Sequence, residues 1–122
     1  MTEYELADAI TSYAVQGGTF FTIWLTILSA YALVAYVAGR DLNAFQIGWL
    51  NTLYLFATTL AIYGFHGSFR VQVYYIDLIR QVNPSSPQTM NSIALVILSG
   101  MALAGTLATL KFMWDVRHPK SE

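Results

Sequence analysis

The chain has 122 residues, of which 11% are charged, a net charge of −1, no cysteine and a mean hydropathy of +0.49. That length leaves room for one domain and no separate catalytic module, and the charged fraction is under half of the roughly 25% usual for soluble domains. With no basic stripe to neutralise phosphates and no thiols, nucleic-acid binding, a disulfide framework and cysteine metal sites are excluded.

Three stretches, Thr19 to Ala38, Ala44 to Phe65 and Ile93 to Leu110, contain no Asp, Glu, Lys or Arg. A hydrocarbon core about 30 Å thick takes roughly 17–25 residues of helix. The chain therefore reads as an all-α integral membrane protein with three transmembrane helices. A soluble fold of this size would leave too much apolar surface in water.

In chain order, Thr2 followed by Glu5 forms a capping box, so a helix starts near Glu3. Leu6, Ile10 and Tyr13 recur at i, i+4 and i+7, which predicts a short amphipathic N-terminal helix over 3–16. Glu3, Glu5 and Asp8 are the reverse of the basic start of a signal peptide. Gly17-Gly18 reads either as a bend or as a close helix contact. The first span follows over 19–38, and Gly39 suits a C′ cap before Arg40-Asp41.

Asn43 with Gln46 marks the next helix start, so spans one and two form an antiparallel hairpin. The second span covers 44–66. Val71, Tyr75, Leu78 and Val82 continue an apolar stripe after His66-Gly67-Ser68, so the helix is expected to run on over 67–82, out of the bilayer. A break near Gly67 is the alternative. The Asn83-Pro-Ser-Ser-Pro87 run is a turn, with Ser86 as N-cap and Pro87 at N1 of a third helix over 88–114. Lys111, Trp114 and Arg117 then mark an interface.

Four basic residues (Arg40, Lys111, Arg117, Lys120) lie on the side of the 39–43 turn and two (Arg70, Arg80) on the other. The positive-inside rule then places the N-terminus outside and the C-terminus in the cytoplasm. A bacterial inner membrane is the expected location.

Polar residues in the spans fall into stripes. Gly48, Asn51, Thr52, Leu55, Thr59 and His66 share a face of span two; Thr22, Thr26 and Ser29 follow one another on span one; Ser92, Ser99 and Thr106 do so on span three. Polar groups in hydrocarbon seek partners, so the stripes are expected to face each other, as interhelical hydrogen bonds or as the lining of a conduit. His66, the one titratable side chain near a span, is a candidate proton-sensitive group. On the outer side, Glu5 and Asp8 are candidates to meet Arg70, Asp77 and Arg80, either within one chain or between copies. Gly100, Ala104 and Ala108 form a small-residue ribbon, with Ala35 and Gly39 a weaker version.

No catalytic motif is present: no HExxH, GxSxG, phosphate-binding loop or carboxylate dyad. The expectation is a non-enzymatic membrane protein without cofactor beyond lipid contacts. Its partners would be membrane lipids and either further copies of itself, as a homo-oligomer, or another membrane protein, as an accessory subunit. The alternatives are a homo-oligomeric channel or transporter lined by span two, and a lipid- or quinone-binding protein using the many aromatics.

Overall fold

A computed structural model describes residues 2–85 and 91–119. The chain forms three helices, α1 (Glu3–Ala38), α2 (Ala44–Val82) and α3 (Ser92–Arg117), and no strand among the described residues. All three are long and apolar enough to cross a membrane.

Local chemistry sets two of the starts as expected. Thr2 Oγ1 accepts from the Glu5 amide while Glu5 accepts from the Thr2 amide, and Asn43 and Gln46 make the same reciprocal pair. Each box satisfies backbone donors that a helix start otherwise leaves open. The third start differs. Asn91, not Ser86, is the N-cap, with its side chain accepting from the Ala94 amide at 2.9 Å, so α3 begins at Ser92 rather than at 88. Ser86 and Pro87 lie outside the described residues.

The separate N-terminal helix over 3–16 is corrected: residues 3–38 are one helix of 36 residues, about 54 Å long. Gly17 and Gly18 stay helical because α2 lies alongside and supplies the packing that offsets glycine's cost of about 1 kcal/mol. Gly17 is the close contact. A Cβ there would sit 2.8 Å from the Phe69 ring, and one at Gly64 would sit 2.5 Å from the Phe20 ring. These two glycines let each helix seat an aromatic ring of the other. Gly39 is likewise right-handed (φ −57°) rather than a left-handed cap, and a Cβ there would lie 3.0 Å from Val116 Cγ1.

Helix α2 is continuous for 39 residues, about 58 Å, with no break at Gly67. Together α1 and α2 make a long antiparallel hairpin, and the shorter α3 lies against part of it. Three packed layers follow. At the N-terminal end only the hairpin contributes: Leu6 and Ile10 pack on Ile76 and Ile79, and Tyr13 stacks on Tyr75 at 5.9 Å. The seam on α2 is thus one step round from the expected Val71/Tyr75/Leu78/Val82 stripe. Tyr75 and Leu78 flank it, while Val82 is exposed. The seam continues the Phe65, Ser68, Gln72 row that faces inward throughout, so the inward face of the apolar half of α2 carries over into its C-terminal half.

In the middle layer Trp24, Phe65, Ala61 and Ala102 join all three helices. Near the 39–43 turn the layer is Tyr31, Ala35, Tyr54 and Met113.

Candidate functional site

Buried ring tips, not the threonine stripes, tie the three helices together. Trp24 donates its indole N–H to Thr106 Oγ1 at 3.1 Å, and the Thr106 hydroxyl in turn donates a hydrogen bond to the Ala102 carbonyl. One layer toward the turn, the Tyr31 hydroxyl donates to Asn51 Oδ1 at 2.6 Å. The Tyr31 ring stacks on Tyr54 with centroids 3.9 Å apart, and the Tyr54 hydroxyl is hydrogen-bonded to Thr109. Toward the other end, His66 Nδ1 meets Ser99 Oγ at 2.8 Å. Asn51, His66, Ser99 and Thr106 are therefore brought into contacts between helices.

The remaining stripe residues are not. Thr22, Thr26, Ser29, Thr52 and Thr59 are exposed on the outside of the bundle. Thr22 bonds the Gly18 carbonyl, Thr26 the Thr22 carbonyl and Thr52 the Gly48 carbonyl, all at 2.8–2.9 Å. A threonine that satisfies its hydroxyl on its own helix has no need to face a neighbour. That corrects the expectation that the stripes oppose one another. The inward polar groups pair off in separate layers, so within one chain they act as glue of about 0.6 kcal/mol per bond.

Trp24, Tyr31, Tyr54 and Thr109 were absent from the polar candidates read from the sequence. Their signal was available in kind, since buried Trp N–H and Tyr O–H groups take hydrogen-bond partners. Gln72 is also buried, and its Oε1 has no partner among the described residues.

The cap at the N-terminal end forms within one chain through the apolar seam. Glu5 is engaged in its own capping box, while Asp8, Arg70 and Asp77 are exposed and Arg80 is half-buried. Asn83 Nδ2 also donates to Glu3 Oε1 across the cap, at 3.0 Å.

The opposite end is closed by arginines. Arg117 Nη1 donates to the carbonyls of Gly39 and Leu42 at 2.9 and 2.6 Å, and Arg40 Nε donates to the Val116 carbonyl at 3.3 Å. These charge-assisted bonds fasten the 39–43 turn to the end of α3. Beside this clamp, between the start of α2 and the end of α3, lies a cavity of about 390 Å³.

The small-residue ribbons exchange roles. Ala35 and Gly39 are buried inside the bundle, and Gly105 takes the Trp24 ring, 3.2 Å from where its Cβ would be. Gly100, Ala104 and Ala108 face outward, with open space around Gly100. No group of three or more metal-ligating side chains occurs among the described residues. No protein-family model matches the chain, and no curated protein or solved structure matches it.

Proposed function

We propose that this is a non-enzymatic membrane protein that works by assembling in the bilayer, with itself or as a subunit of a larger complex. One observation carries the reading: the Gly100-Ala104-Ala108 ribbon points away from α1 and α2. Ribbons of this kind let two helices approach closely in lipid, where van der Waals packing replaces the hydrophobic effect as the driving force. Inside this chain the approach is made by Gly105 instead, so the outer ribbon is left for another helix.

The test is bulk on the ribbon. Gly100→Ile with Ala104→Ile points both new side chains outward, away from the Trp24 contact, so the three-helix fold is expected to stay intact. The native particle is expected to fall to a lower mass in lipid nanodiscs. An unchanged mass would remove the ribbon as the assembly surface.

A second reading, a channel formed by several copies, is favoured by the outward position of Gly48, Thr52 and Thr59 on α2. Thr52→Val with Thr59→Val then abolishes ion or solute flux through reconstituted vesicles. Flux that is absent from the unmodified protein, or unaltered by the pair, removes the channel.

The arginine-rich turn and C-terminal end favour a cytoplasmic location for both, with the N-terminus outside a bacterial inner membrane. Because the sequence has no cysteine, single substitutions report this cleanly. An impermeant maleimide is expected to label Asp8→Cys in intact cells and Asp41→Cys only after permeabilisation. The opposite pattern inverts the topology.

A further inference from the structure

The geometry points to a binding site for one anionic glycerophospholipid in the cavity between the start of α2 and the end of α3. Its volume of about 390 Å³ falls in the range of ligand pockets. Its walls are apolar, chiefly Ile47, Leu110 and Met113, and its polar lining comes from Asn51, Arg117 and His118, with Trp114 also bordering it. This is the order a lipid needs: hydrocarbon along the walls, and a charged group where the helices reach the membrane surface.

The polar groups select the sign. Arg117 uses Nη1 for the Gly39 and Leu42 carbonyls, which fixes its guanidinium while Nε and Nη2 have no partner among the described residues. Asn51 already accepts from Tyr31 through Oδ1, so its side chain has its N–H donors left to offer. His118 Nδ1 lies 3.1 Å from the Trp114 carbonyl, which only accepts, so that nitrogen carries the proton. The indole of Trp114 stacks on the same imidazole at 3.9 Å. Asp41 and Asp115 are near this end, yet neither lines the cavity, so no carboxylate in the lining opposes Arg117. The first residue of α2, Ala44, also borders it, adding the partial positive charge of a helix start. A fixed guanidinium with spare donors is suited to a phosphate, and basic pockets between membrane helices take anionic headgroups in this way. The lipid's phosphodiester sits at Arg117 and an acyl chain lies along Ile47 and Leu110.

Native mass spectrometry of the full chain released from detergent micelles tests this, with added phosphatidylglycerol or phosphatidylcholine. Phosphatidylglycerol is expected to be retained as a single adduct per chain, at least about tenfold tighter than phosphatidylcholine. Leu110→Trp fills the cavity and leaves Arg117 in place; Arg117→Gln removes the charge and the clamp on the turn but leaves the apolar walls at Ile47 and Leu110. Both are expected to lose the preference, while Arg117→Lys keeps most of it, separating charge from any loosening of the turn. Equal retention of the two lipids overturns the site, as does a preference that survives Leu110→Trp. Displacement of phosphatidylglycerol by equimolar glycerol 3-phosphate also overturns it, because the anion alone would then suffice.

Discussion

Replacing Trp24 by alanine is expected to release α3 from the hairpin. Trp24 is 6% exposed, fills the hollow at Gly105, and carries the hydrogen bond to Thr106. Large-to-small changes of this kind cost about 3–5 kcal/mol in soluble cores. In a bilayer the loss falls toward about 3 kcal/mol, because lipid chains solvate the separated apolar surfaces as well as they solvate the helix itself. The effect is directional. A short bismaleimide is expected to stop bridging His66→Cys with Ser99→Cys in the Trp24→Ala background, and to go on bridging Ile10→Cys with Ile76→Cys. Equal retention of both bridges would show that Trp24 does not hold α3.

Phe65→Ala is expected to act on all three helices at once. The side chain is fully buried, meets Phe21 edge-on at 5.7 Å and Phe69 at 6.4 Å, and shares its layer with Trp24 and Ala102. Its removal leaves a void in a layer where α1, α2 and α3 all meet. A loss of about 3–4 kcal/mol follows, read as a shift of the unfolding midpoint in mixed micelles. Because Phe65 and Trp24 belong to one cluster, the double substitution is expected to cost less than the sum of the two. Strict additivity would argue that the two rings act in separate layers.

The relation between sequence and structure differs by the range of the interaction. The starts at Thr2/Glu5 and Asn43/Gln46 were legible because a capping box is complete within four residues. The continuation of α2 was the favoured reading, since nothing between Gly67 and Val82 breaks a helix, but the sequence left a break near Gly67 open. Gly17-Gly18 was ambiguous, for a glycine pair serves a bend and a close contact equally well, and only Phe69 decides between them. The threonine stripes misled for a physical reason: the hydroxyl that marks a residue as polar is spent on the carbonyl four residues back. The partners that do bind across helices, Trp24 with Thr106 and Tyr54 with Thr109, are 82 and 55 residues apart, so no local pattern connects them. The same holds for Arg117: its place after the third apolar stretch was legible, while its clamp on Gly39 and Leu42 depended on where α3 ends.

The balance of faces ties these points to assembly. Trp24, Phe65 and Tyr54 use the inward faces within the chain. The outer ribbon of α3 and the Gly48/Thr52/Thr59 face of α2 remain exposed. The most direct measurement is the mass of the unmodified protein, extracted with its surrounding lipid into nanodiscs and weighed by native mass spectrometry. A particle of several chains is expected, either a multiple of 13.6 kDa or one that includes foreign subunits. A protein component of 13.6 kDa alone, at native abundance, would contradict assembly.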